Sequence, residues 1–310
     1  MPFKRQWLLL DLLNTTTQYF SEKNIDNPRL NAEELLGMAM GLSRVQLYVS
    51  FERPVSDFEL NSFRALVKRR SQHEPLQHII GQTGFMGFPF KVNPEVLIPR
   101  PETEILVEEV LKLRDEIHLK NTSILDIGTG SGCIPISLAL NLPESKFLAI
   151  DISLAAMEVA RQNCQLNDIP VRMADTNQTQ KIEMLTPITL AKHDIMLPWP
   201  QSFGSRFDII VSNPPYVTRA EMEHLQPEVR DYEPHTALTD FDDGLTFYRR
   251  IFDLITIKHE LECRFLILEM SGSQPGKIFD LAQVYSFKKI EIIPDLNKID
   301  RILKIEVYNE

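Results

Sequence analysis

Asn213-Pro214-Pro215-Tyr216 follows an apolar run at residues 207–211. Proline fixes φ and has no amide hydrogen, so two in succession make a stiff turn with carbonyl acceptors and no backbone donor. Asn213 adds a side-chain carboxamide oxygen. Two acceptors held in place match the two donors of a planar NH₂ group, and the Tyr216 ring can lie against that group's flat face. An amide or exocyclic amine nitrogen is a poor nucleophile because its lone pair is delocalised. Accepting both of its N–H bonds returns electron density to nitrogen and aims it. Positioning for in-line displacement supplies most of the rest when the methyl donor is already activated. No strong base is required beforehand, since the proton can leave afterwards. Asn213, Pro214 and Tyr216 are therefore the candidate catalytic residues, and Pro215 completes the substrate surface. In isolation the tetrapeptide also fits a plain strand-ending turn.

A second constellation lies upstream, in the run DIGTGSG at residues 126–132. Glycines at 128, 130 and 132 permit a tight turn and a close approach of backbone to a ligand. The dinucleotide fingerprint G-x-G-x-x-G fails, because Cys133 stands where the third glycine is needed and Pro135 fills that place in the alternative register. Asp151 ends the next predicted strand, 23 residues after Gly128. A carboxylate there can accept from both hydroxyls of a ribose. A nucleoside without a pyrophosphate satisfies both facts, and S-adenosylmethionine, a sulfonium cation, is such a ligand. The failed fingerprint counts against an NAD-dependent oxidoreductase. A plain βα turn with a surface aspartate is the bland alternative.

These groups need elements to hold them. From residue 121 onward, apolar strands alternate with helices: 123–127, 147–150, 207–211 and 265–269 read as strands, and 134–142, 155–166 and 245–257 as helices. That order implies a parallel sheet covered on both faces, with ligands at the carboxyl ends of its strands. Two late runs, 288–293 and 301–308, suit an antiparallel pair. Residues 168–192 are polar and weakly periodic and read as a long insertion. Residues 1–80 read as four or five short helices. Start signals are Asn31 with Glu34, Ser43 with Gln46 and Ser56 with Glu59, and the cations Lys68, Arg69 and Arg70 suit a helix end. Residues 83–98 alternate Phe85, Phe88, Phe90 and Val92 between glycines and prolines, as a hairpin-like connector does.

The chain has 310 residues, enough for about two domains. Its hydrophobic content of 43% and charged content of 25% are those of a globular protein. No run approaches the roughly 20 apolar residues of a membrane span. Asp11 interrupts the one apolar run near the start, and no small-residue cleavage site follows, so a signal peptide is not expected. Three cysteines (Cys133, Cys164, Cys263) cannot all pair and lack metal-ligand spacing, which suits a reducing cytoplasm and no metal. The first 80 residues carry ten Lys/Arg against nine Asp/Glu, the remainder 23 against 34. An acidic catalytic region argues against nucleic-acid binding and tolerates a cationic small molecule or a basic protein partner.

With these motifs in view, the chain resembles the HemK/PrmC family, the peptide chain release factor N5-glutamine methyltransferases. The resemblance covers nearly the whole chain and is carried by DIGTGSG, SNPPY and IPRPETE, with VRDYEPHTALTDFDDGLTFYRRI and DLNKIDRIL further on. NPPY is shared with adenine-N6 methyltransferases, which leaves methylation of adenine in nucleic acid as the alternative function. The resemblance implies a class I, Rossmann-like α/β domain of seven strands at 101–310, a β-hairpin linker at 81–100 and a substrate-recognition helical bundle at 1–80. It implies S-adenosylmethionine-dependent methylation of the glutamine in the GGQ motif of class 1 release factors, in the cytoplasm. By position, Gly128, Thr129, Gly130, Ser131 and Gly132 would line the methionine end of the cofactor, Asp151 its ribose, and Asp194 with Ile195 its adenine. Asn213 would touch cofactor as well as substrate. Asp175 is a rival for the adenine-side acid. One departure is Ser271, where the family's L-E-x-G pattern has glycine. Arg100 and Glu104 are read either as closing over the cofactor or as pairing with each other. Glu233 is read either as near the substrate cleft or as a salt-bridge residue, and 242–244 as a turn.

Overall fold

The computed structural model describes residues 6–117, 121–174, 182, 184 and 187–308. Two compact units separate, one running up to Gly81 and including Gln226–Tyr232, the other taking Gln82–Leu225 and the residues from Glu233 on.

The first unit holds five helices: Leu9–Glu22, Pro28–Met40, Arg44–Tyr48, Asp57–Ser71 and Leu76–Ile80. Their apolar faces meet in one core built on Leu9, Leu13, Phe20, Leu35, Leu36 and Phe63. Ser43/Gln46 and Ser56/Glu59 form reciprocal capping boxes, as their spacing predicts. The Asn31/Glu34 pair does not. Pro28, with its preset φ, starts that helix with Asn27 at the N-cap, four residues earlier, and Asn31 is buried within it, donating to the carbonyls of Asp26 and Asn27. Arg70 does more than complement a helix dipole. It is 2% exposed and donates to Asn31 Oδ1 (2.6 Å), the Glu74 carbonyl (3.0 Å) and Glu228 Oε1 (2.5 Å). Tyr232 adds a hydrogen bond to the Gln72 carbonyl. Gln226–Tyr232, within the sequence-expected domain 101–310, thus packs with the helices.

The second unit begins with a hairpin, β1 (Gln82–Phe85) and β2 (Phe88–Lys91), turned at Met86-Gly87, where both φ values are positive. The main sheet contains β3 (Ser123–Ile127), β4 (Lys146–Asp151), β5 (Val171–Met173), β6 (Ile188–Lys192), β7 (Ile209–Ser212), β8 (Phe265–Glu269), β9 (Lys289–Pro294) and β10 (Asp300–Glu306). Their order is β5-β6-β4-β3-β7-β8-β10-β9, parallel except for β10, which pairs antiparallel to both neighbours. The sheet therefore has eight strands, not seven. Two of the eight, β5 and β6, lie in the region expected to be an insertion: β5 is a three-residue edge strand with partly exposed side chains, and β6 a buried strand between β5 and β4. Alternate strand residues feed two cores, one on each face of the sheet. Ile124, Ala149 and Leu190 pack towards the helices Pro101–Ile117 and Cys133–Asn141, and Leu125, Leu148 and Ile210 towards Thr246–Thr256 and Pro275–Val284. Among the described residues no helix is long and apolar enough to cross a membrane.

Candidate active site

The strand order reverses beside β3: β4 lies on one side and β7 on the other. Chain segments leaving the carboxyl ends of such strands diverge and leave a crevice. A cavity of about 350 Å³ occupies it, walled by residues following β3, β4, β6 and β7.

The glycine loop is folded back over β4. Gly128 and Thr129 both donate their amides to the Ile150 carbonyl (2.9 and 3.0 Å). Gly130 donates to Asp151 Oδ2 and Ser153 to Asp151 Oδ1, each at 2.8 Å. The aspartate is thus fixed by two backbone amides, and each oxygen keeps a lone-pair direction for a ligand hydroxyl. Burial raises its pKa, opposed by those amides. Gly128, Thr129, Gly130, Ser131 and Asp151 line the cavity, and so do Asp194 and Ile195. The rival Asp175 lies outside the described residues. Gly132 is not in the wall. It precedes the helix Cys133–Asn141 at φ 79°, and a Cβ there would sit 3.1 Å from Ala160 Cβ and from Ile136 Cδ1, so this glycine serves helix packing.

The Asn-Pro-Pro corner enters from the other side. Ser212 Oγ donates to the Ile127 carbonyl at 2.6 Å, tying the end of β7 to that of β3. Asn213, Pro214 and Pro215 line the cavity and Tyr216 does not. Asn213 Nδ2 donates to Thr103 Oγ1 at 3.1 Å. Tyr216 turns its hydroxyl to Glu269 Oε1, 3.4 Å away, and burial raises its pKa. Its carbonyl abuts Gly244, where a Cβ would come within 2.4 Å of that oxygen. The turn at 242–244 therefore buttresses the corner. Asp240 secures the turn by accepting from the amides of Asp242, Gly244 and Thr246.

Arg100 and Glu104 do not pair. Arg100 ion-pairs with buried Glu233 at 2.5 Å and Glu104 accepts from the Met86 amide. Glu233 thus takes the salt-bridge role, holding Arg100 in the cavity wall. Two carboxyls at strand ends have no exposure to speak of. Burial pushes Asp126 up to about 7 against the nearby Thr129 hydroxyl, and Glu269 up to about 7 against the hydroxyls of Thr103 and Tyr216 and the charge of Arg301. From sequence Gly244 reads only as part of a turn and Glu269 only as part of the L-E-x-G pattern, and Thr103 has no role assigned, because each acts through a neighbour distant in the chain. Gly272 follows Ser271, and its missing side chain leaves room for Ile299, whose Cγ2 would lie 2.6 Å from a Cβ.

Residues 11–81 match the PrmC N-terminal domain family, and residues 107–213 match the ribosomal protein L11 methyltransferase (PrmA) family. A release factor glutamine methyltransferase of Chlorobaculum tepidum is 38% identical over 97% of this chain and 98% of its own length. The chain belongs to the release factor glutamine methyltransferase family. Members from Geobacter sulfurreducens and Bacillus subtilis are 37% and 33% identical, each over at least 95% of both chains. Among solved structures, the catalytic domain of human METTL16 in complex with MAT2A 3′UTR hairpin 6 superposes with a TM-score of 0.51 over 84% of this chain and 86% of that one. At 16% identity, that likeness is one of fold.

Proposed function

We propose that this chain methylates the side-chain amide nitrogen of the glutamine in the GGQ motif of class 1 peptide chain release factors, with S-adenosylmethionine as donor, in the cytoplasm. The observation that carries the reading is the engagement of Asn213 Nδ2 by Thr103, which leaves Asn213 Oδ1 as the acceptor beside Pro214 in the cavity wall.

The residues present fit the donor. The Gly128–Thr129–Gly130 backbone forms a cradle with no side chain over either glycine, Asp151 offers carboxylate lone pairs where a ribose would lie, and Ile195 offers an apolar surface beside Asp194. Asp151 and Asp194 in the wall suit a ligand that carries positive charge. When bound, S-adenosylmethionine supplies a methyl group already activated on a positively charged sulfur.

The chain's own residues then act on the other partner. Asn213 Oδ1 accepts one amide hydrogen, and the Pro214 peptide offers an acceptor with no competing donor. Holding the N–H bonds this way restores lone-pair density to nitrogen and aims it along the displacement line. Both amide protons stay on the substrate nitrogen, one of them hydrogen-bonded to Asn213 Oδ1, until the methyl has transferred; the nitrogen then releases one proton to water.

The test is mass spectrometry of a class 1 release factor after incubation with the enzyme and S-adenosylmethionine. One added methyl on the GGQ glutamine, absent when that glutamine is alanine, is expected. Label entering DNA or RNA and not the release factor would replace this reading with the adenine-N6 alternative.

A further inference from the structure

The turn at 194–197 follows β6 and brings Asp194, Ile195 and Met196 into the cavity wall. Its start is tied to the end of β4, where the His193 amide donates to the Asp151 carbonyl at 2.9 Å. Asp194 closes the turn. Its carbonyl accepts from the Leu197 amide and its Oδ1 from the Met196 amide, each at 2.9 Å, which leaves Oδ2 to accept from a ligand. The turn has little packing of its own beyond Ile195, since Met196 and Leu197 are 44% and 56% exposed. Arg250, in the helix Thr246–Thr256, holds it instead. This arginine is 8% exposed, and its Nε and Nη2 donate to the carbonyls of Ile195 (2.7 Å) and Leu197 (2.5 Å). A buried charge is costly unless its donors are met, and bonds from an ionised donor are about twice as strong as neutral ones. Guanidinium and turn therefore fix each other. Phe247 and Ile251 of the same helix line the cavity, whereas Arg250 does not.

Resting on the function read above, we propose that Arg250 is a positioning residue for the adenine of the methyl donor: by spanning two carbonyls of the turn it holds Asp194 Oδ2 where the exocyclic amine of adenine donates to it, with Ile195 against the ring. Lysine cannot replace it, because a single ammonium does not reproduce the planar fork that reaches both carbonyls.

Calorimetric titration with S-adenosylhomocysteine and with its inosine analogue, in which a 6-oxo group replaces the amine, tests this with no methyl acceptor present. Wild type is expected to bind the adenine form about tenfold or more tighter, since the oxo group would set acceptor against acceptor at Asp194. Arg250→Met and Arg250→Lys should each cut that preference to about threefold or less. Asp194→Ala should abolish it, and adding Arg250→Met to Asp194→Ala should change the ratio of the two affinities by less than about twofold. A folded Arg250→Met that keeps the wild-type ratio, whatever its affinity for either ligand, would overturn the proposal, as would a further change of ratio in the double variant. Wild type showing no preference for the adenine form would also overturn it, and that measurement needs no variant. Should wild type leave a release factor unmethylated, the function is wrong while these titrations still decide the role of Arg250.

Discussion

Gly128 and Gly132 look equivalent in the sequence, and the structure gives them different work. Alanine at either position separates the two roles. Both have positive φ, 77° and 79°. A left-handed conformation costs an L-residue about 1–2 kcal/mol. At Gly128 nothing lies within 4 Å of the added Cβ, so that cost stands alone. At Gly132 the same Cβ lies 3.1 Å from Ala160 Cβ, 3.1 Å from Ile136 Cδ1 and 3.3 Å from Ala160 Cα. Two helices must then move apart, which adds about 1–3 kcal/mol for an overpacked contact. Gly132→Ala should therefore lose about 2–5 kcal/mol, and Gly128→Ala about 1–2. The entropy a glycine loses on folding is relieved equally in both and cancels in the comparison. At roughly 2–4 °C per kcal/mol for a unit of this size, Tm falls by about 4–20 °C in the first case and about 2–8 °C in the second. Thermal melts followed by circular dichroism read these shifts, and calorimetric titration with S-adenosylmethionine supplies the complement. Gly128→Ala places a methyl in the cavity wall and should weaken binding, while folded Gly132→Ala binds near normally. Equal melting losses, or a larger loss in Gly128→Ala, would refute the division of roles.

Gly244→Ala drives a Cβ into the Tyr216 carbonyl and must displace the Asn-Pro-Pro corner, so kcat should fall about tenfold or more while affinity for S-adenosylmethionine is kept; unchanged kcat would contradict the buttress. Asp151→Ala removes the acceptor fixed by Gly130 and Ser153, and its Kd for S-adenosylmethionine should rise about ten- to a hundredfold by titration. Asp126 has a folded-state pKa of about 7 against an ordinary value of 3.8, so between those values the native state binds more protons than the unfolded one. Its cost to stability is absent below about pH 4, grows as pH rises and is complete above about pH 7, reaching the order of 2–4 kcal/mol. Denaturant unfolding of Asp126→Asn and wild type should diverge in the variant's favour from pH 5 to 8, and a gap independent of pH would dismiss the buried charge.

The elements that hold the site were readable wherever apolar period was strong. Residues 123–127 and 265–269 emerge as β3 and β8, and the late runs pair antiparallel as β9 and β10. Capping at Ser43 and Ser56 was legible because both partners sit within one turn. At Asn31 the same spacing misled, because Pro28 nucleates the helix earlier and burial claims the asparagine. β5 and β6 fall in the stretch read as an insertion: β5 is only three residues of an edge strand, much of it facing water, and in β6 the apolar residues are interrupted by a buried Thr189 and follow a polar stretch, so neither shows a sustained apolar pattern.

Local chemistry belongs to the sequence alone. It determined that a rigid run of acceptors follows one strand and a flexible glycine loop another, since proline's ring and glycine's missing Cβ act within a few residues. It could not decide which way Asn213 faces, which glycine serves packing, or that Arg100 answers to Glu233 and not to Glu104. Those outcomes depend on Thr103 lying 110 residues from Asn213, and Glu233 lying 133 from Arg100, at hydrogen-bond distance. Only folding brings such pairs together, and burial then makes each unmet donor or acceptor costly enough to select a single arrangement.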